Sequence, residues 1–90
     1  MGKETVLFKS EEHQDRQAVA EFLRDLADRV ADGQVNLRQG EQAVSLEIPY
    51  QVVLELKAEV EDKGRTKKRS LEVEIEWTDG GQASGPVVLG

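Results

Sequence analysis

The chain has 90 residues, with 12 Lys and Arg against 18 Asp and Glu, a net charge of −6 and no cysteine. That length holds one domain with a small core. The missing thiols exclude disulfides and thiolate metal ligands, and the acidic balance disfavours nonspecific binding to phosphate backbones. No apolar run approaches the ~20 residues that span a bilayer. The opening stretch MGKETVLF lacks the apolar core of a signal peptide, and Val6 breaks the myristoylation pattern. A cytoplasmic protein without membrane association is expected.

In chain order, residues 4–9 (ETVLFK) read as a short strand. A helix follows. Val19, Phe22, Leu23, Leu26 and Val30 lie on one helical stripe, with Ala27 filling in, and the opposite face carries Arg16, Glu21, Arg24, Asp25, Asp28, Arg29 and Asp32. Asp15 and Ser10 both qualify as the N-cap, since either side chain accepts from a free amide of a first turn. Gly33 suits the left-handed position that closes many helices.

Beyond Gly33 the period changes to two. Val35 and Leu37 share a face. Gly40-Glu41 reads as a two-residue II′ loop that sets Leu37 opposite Val44 and Val35 opposite Leu46. Pro49 interrupts, because it has no amide for a ladder. Val52, Leu54, Leu56, Ala58 and Val60 then alternate with Val53, Glu55, Lys57, Glu59 and Glu61. The last strand, LEVEIEW, alternates Leu71, Val73, Ile75 and Trp77 with Glu72, Glu74 and Glu76. With Gly64-Arg65 as the loop between them, Leu56 faces Val73, Val52 faces Trp77, Lys57 faces Glu72 and Glu61 faces Lys68. Moving the loop to Lys63-Gly64 sets Glu55 against Glu72, a like-charge pair that disfavours that register. Residues 79–90 are Gly-rich and aperiodic, and are expected to form a flexible tail, with docking of Val87, Val88 and Leu89 left open.

The order is β-α-β-β-β-β: an α+β fold of two layers, a mostly antiparallel sheet with one helix on its apolar face, filling residues 1–78 as one domain. The pattern resembles the amphi-Trp domain family, small prokaryotic domains. The resemblance rests on VLFKSEE near the start, FLRDLADRVADG closing the helix, VNLRQGEQAVSLEIP, and the amphipathic last strand ending in Trp77. It covers roughly residues 5–78 and implies a single compact domain. It brings no activity and no catalytic residues.

Three features are candidates for function. The first is the carboxylate row Glu72, Glu74 and Glu76, joined by Glu47, Glu55, Glu59 and Glu61. Alternate residues of a twisted strand stand about 7 Å apart and diverge, so they do not converge on one cation, and a solvated sheet face is the expectation. The second is the basic hairpin tip of Lys63, Arg65, Lys67, Lys68 and Arg69 on an otherwise acidic body. The third is an aromatic rim: Trp77 belongs by parity to the apolar face, and Tyr50 lies near that strand end in the inferred register. His13 is the only histidine and has no motif around it. Ser10, Ser45, Ser70 and Ser84 lack a nucleophile-elbow context, and no phosphate-binding Gly-rich motif is present. No enzyme, metal or cofactor is expected. The reading is a noncatalytic protein-interaction module, a monomer with at most weak homodimerisation. The alternative is a nucleic-acid-associated protein using the basic hairpin 63–69, although no stacking aromatics interleave with its cations.

Overall fold

The computed structural model describes residues 2–79. Its elements are α1 (Arg16–Asp32), β1 (Gln34–Gln39), β2 (Gln42–Glu47), β3 (Val53–Asp62) and β4 (Lys67–Glu76), an α+β fold. Two compact units divide the chain, Met1–Tyr50 and Gln51–Gly90. The tail expected from residue 79 falls, from residue 80 on, outside the described residues.

In the first unit Asp15 is the N-cap. Its backbone is extended (φ −79°, ψ 163°), and its Oδ1 accepts from the Ala18 amide at 2.7 Å. Ser10 plays no such part. At the other end Gly33 adopts φ 86°, and its amide donates to the carbonyls of Arg29 and Val30. A residue with a Cβ resists that backbone. Gly33 also accepts the Ile48 amide at 2.8 Å, and a Cβ built on it would stand 3.4 Å from the Ile48 carbonyl oxygen. One residue thus ends the helix, starts β1 and ties both to the exit of β2.

β1 and β2 form an antiparallel ladder with Val35 opposite Leu46 and Leu37 opposite Val44, the register expected from the alternation. Gly40 turns at φ 57°, while Glu41 keeps a negative φ. That combination matches a II′ loop and not a I′ loop, which needs both positive. α1 packs against β1, and Val35, only 5% exposed, is the one buried residue among the described residues. Leu26, Val30, Leu37, Val44, Leu46 and Ile48 are half-buried.

The N-terminal half of the helical stripe departs from expectation. Val19, Phe22 and Leu23 are exposed, Phe22 at 59%. Gly33 feeds the chain straight into a hairpin of six-residue strands, so the hairpin meets the helix from its C-terminal end. Residues 4–9 also differ: they carry no strand ladder. A side chain takes the ladder's place. The Lys9 amide donates to Gln42 Oε1 at 3.2 Å, and Gln42 Nε2 donates to the Lys9 carbonyl at 3.1 Å. Phe8 beside it is half-buried.

The second unit is a two-stranded antiparallel ribbon of ten pairs, from Val53 opposite Glu76 to Asp62 opposite Lys67. Leu56 faces Val73, Lys57 faces Glu72 and Glu61 faces Lys68, as the Gly64-Arg65 loop requires. Gly64 sits at φ 90°; its amide donates to Asp62 Oδ1 at 2.9 Å, and the Lys63 amide donates to the Thr66 carbonyl at 2.9 Å. The four strands therefore make two separate ladders, β1–β2 and β3–β4, where a single meander was expected. Pro49 lies in the connection from β2 to β3 and offers no amide to extend pairing across it.

Asp15→Ala removes one capping bond and is expected to cost about 1 kcal/mol. Gly33→Ala forces a Cβ into a left-handed backbone and toward the Ile48 carbonyl, and is expected to cost about 1–2 kcal/mol. Urea denaturation of each variant against the parent measures both, and a Gly33→Ala midpoint equal to the parent's contradicts the closure described for the first unit.

Candidate functional site

The ladder sorts the ribbon's side chains by parity. One face carries Leu54, Leu56, Ala58 and Val60 from β3, opposite Ile75, Val73, Leu71 and Arg69 from β4. The other carries Val53, Glu55, Lys57, Glu59 and Glu61, opposite Glu76, Glu74, Glu72, Ser70 and Lys68. On this charged face the Lys57 ammonium stands 3.5 Å from Glu72 and 3.8 Å from Glu59. It lies in an open depression of about 280 Å³ lined by Glu55, Lys57, Glu72, Val73 and Glu74. The row is thus partly neutralised from within. Among the described residues no group of three or more His, Asp or Glu side chains is arranged to hold a metal ion. Glu47, counted with the row from the sequence, belongs instead to the β1–β2 ladder.

All five basic residues of the tip lie at the closed end of the ribbon, but they do not form one patch. Lys63 and Arg65 are in the loop, Lys63 within 4.0 Å of Glu61. Lys68 sits on the charged face opposite Glu61. Lys67 and Arg69 sit on the apolar side, opposite Asp62 and Val60. The three cations of β4 therefore divide between the two faces, Lys68 across from Glu61, Lys67 across from Asp62 and Arg69 across from Val60.

Of the two aromatics, Tyr50 is 100% exposed and ends the first unit, whereas Trp77 is half-buried just past the end of β4 in the second. The β3–β4 ladder closes at Val53 and Glu76, one pair short of Val52 and Trp77. His13 is exposed in the segment before α1, away from both ladders in sequence. A pocket of about 390 Å³ in the first unit is lined by Ser10, Glu12, Gln14, Ala18, Val19 and Phe22. Glu12 there accepts from Gln14 at 2.9 Å and from Gln39 at 3.3 Å. The sequence offers no sign of this pocket, because Ser10, Glu12 and Gln14 belong to a segment without periodicity.

A family model described as the Amphi-Trp domain matches residues 1–88, almost the whole chain. No curated protein matches the chain, and no solved structure does. Among the described residues no helix is long and apolar enough to cross a membrane.

The ladder also sets Glu55 opposite Glu74. The Glu74 carboxyl is pushed above its ordinary value, first by its hydrogen bond to Glu55 and then by the charge of Glu55, with desolvation and Glu72 adding and Lys57 opposing. A carboxyl whose pKa rises on folding binds its proton more tightly in the native state. Its stabilising effect is therefore full below the ordinary carboxyl value and is lost as pH rises through the raised one. Glu74→Gln removes that dependence. The variant is expected to gain stability relative to the parent as pH rises from about 3.5 to 7, read as the difference between urea midpoints at the two pH values. A difference that shrinks with rising pH contradicts the Glu55–Glu74 pairing.

Proposed function

The chain belongs to the Amphi-Trp domain family, and we propose that it works as a small noncatalytic protein-interaction module whose recognition element is the β3–β4 ribbon. One observation carries this reading: the ribbon presents a continuous apolar face from the Leu54–Ile75 pair to Val60, with Leu54, Leu56, Val60, Leu71 and Val73 each more than half exposed. Monomeric proteins rarely leave so contiguous an apolar strip uncovered, and such strips mark contact surfaces. Charge frames it. The reverse face is acidic, carrying Glu72, Glu74 and Glu76 with Lys57 beside Glu72 and Glu59, and the closed end bears Lys63, Arg65, Lys67, Lys68 and Arg69. Charges at the border of an apolar patch orient an incoming partner and set its approach rate more than its affinity. The half-buried Trp77 at the open end supplies the kind of amphipathic ring that anchors interfaces.

The noncatalytic part of the reading is supported by what engages the ribbon's carboxylates: Glu59 and Glu72 neighbour the Lys57 ammonium, and Glu74 is hydrogen-bonded to Glu55.

Two measurements test the proposal. A tagged chain is expected to retain a protein that Leu71→Lys releases while the neutral triple variant Lys67→Gln, Lys68→Gln, Arg69→Gln still holds it, more weakly. Binding to RNA or DNA is expected to be negligible at about 150 mM salt. A nucleic-acid affinity that falls steeply with salt and disappears in the triple variant would replace the module reading with a phosphate-binding one.

A further inference from the structure

We propose that the partner of the ribbon's apolar face is a second copy of this chain, stacked face to face and antiparallel about a two-fold axis that passes between the Leu56–Val73 pairs of the two copies. The inference rests on the reading of this face as a contact surface and names its occupant.

The need for an occupant follows from the ribbon itself. An isolated two-stranded ribbon is marginal in water, and its apolar face requires another layer. Three consecutive apolar residues, Val87 to Leu89, are too few to cover a face ten pairs long. A second ribbon has the right length by construction.

Area is consistent with this occupant. Five aliphatic side chains more than half exposed, with Ala58 and Ile75 between them, mean that pairing two copies removes on the order of 1,200 Å² from water, the lower bound of specific interfaces. Stacked sheets meet at about 10 Å with their strand directions close to aligned, which suits two ribbons of equal length.

Charge selects the arrangement. On the apolar side the cations Lys67 and Arg69 lie at the closed end, and past the open end, beyond the last ladder pair, the chain continues to Trp77 and Asp79. A parallel stack would set the cationic ends of both copies against each other. The antiparallel stack separates them. The register then maps each position onto its mate: Val73 meets its own counterpart, Leu71 meets Ile75, and Arg69 arrives past the partner copy's Ile75, at the end where Trp77 and Asp79 follow β4. An arginine brought to that end is attracted by both an indole and a carboxylate. A self-complementary patch of this kind is what a closed two-fold dimer requires. The acidic reverse face stays in water on both outer sides, so its carboxylates keep their hydration.

The test uses the full chain. Sedimentation equilibrium from about 1 µM to 500 µM is expected to show a monomer–dimer equilibrium. Leu71→Lys is expected to raise the dimer Kd at least tenfold with an unchanged circular dichroism spectrum, since Leu71 is 75% exposed in the single chain and a lysine there costs that chain little. Arg69→Glu is expected to raise the Kd severalfold. An equal mixture of isotope-labelled and unlabelled chains, examined by filtered NOE spectroscopy, is expected to give contacts between copies from Leu71 to Ile75 methyls and from Val73 to Val73. That measurement stands even where a variant fails to fold. A dimer without those contacts, or one indifferent to Leu71→Lys, overturns the proposal. So does a parent that stays monomeric throughout. If that monomer's Leu71 and Val73 methyls are open to a soluble paramagnetic probe, the module reading survives with a different partner. If they are shielded within the monomer, by Val87–Leu89 or any other segment of the same chain, both readings fall.

Discussion

Gly64 turns the chain at φ 90°, and the ten pairs that follow on either side determine every surface of the ribbon. A slip of one residue would exchange the two faces and send the leucines to the carboxylate side. A slip of two residues keeps parity but changes partners. In the observed register three opposite-charge pairs form, Lys57 with Glu72, Glu61 with Lys68 and Asp62 with Lys67, and one like-charge pair, Glu55 with Glu74. The rival loop at Lys63-Gly64 would keep a like-charge pair, Glu55 with Glu72, and would give up one favourable pairing. It would also place glycine second in the loop. The structure puts the residue that tolerates a positive φ first.

The first unit depends on a comparable joint. Gly33 closes α1, opens β1 and accepts from Ile48. Packing then grows from that corner: Val35 next to the joint is buried, Leu26 and Val30 in the last turns are half-buried, and Val19, Phe22 and Leu23 toward the start of the helix are open. Covering a helical stripe completely takes a wider layer than one six-residue hairpin supplies. The Gln42 amide extends that layer slightly. It pairs with both backbone groups of Lys9 and so holds the N-terminal segment beside the hairpin without a strand.

The features that were legible from sequence are those with a local cause. Asp15 and Gly33 were readable as caps because capping chemistry sits within a few residues of the helix end. Gly40 and Gly64 were readable as turns, and both ladder registers followed from them. Two features were not legible. Residues 4–9 alternate weakly, yet the backbone of Lys9 is met by the side chain of Gln42, 33 positions away, which no pattern announces. The exposure of Phe22 depends on how far a hairpin reaches along a helix, a matter of tertiary packing. The Glu55–Glu74 pair follows from the Gly64-Arg65 register, which carries one like-charge pair of its own just as the rival register does. At the candidate site the alternation sets Glu55, Glu59, Glu61, Glu72, Glu74 and Glu76 along one face of the ribbon, whereas Glu47, counted with them from the sequence, belongs to the β1–β2 ladder. Strand parity divides the basic tip, with Lys68 on the charged face and Lys67 and Arg69 on the apolar side.

That division has an energetic consequence for what the ribbon can engage. Burying the charged face would strip water from Glu74 and Glu76 while Lys57 already serves Glu72 and Glu59, leaving carboxylates without compensation, and such burial costs several kcal/mol per ion. Burying the other face removes only aliphatic surface along most of its length and is favourable at about 25 cal/mol per Å² before the cost of association is counted. The two long-stemmed cations on that side need not be desolvated, because lysine and arginine lay their methylenes along apolar surface while the charged ends reach water at the tip. On the proposed reading, a protein surface that met this ribbon would gain area from the leucine and valine side and only direction from the charges, so the strength of such a contact would reside in Leu54, Leu56, Leu71 and Val73 and its orientation in Lys67 and Arg69.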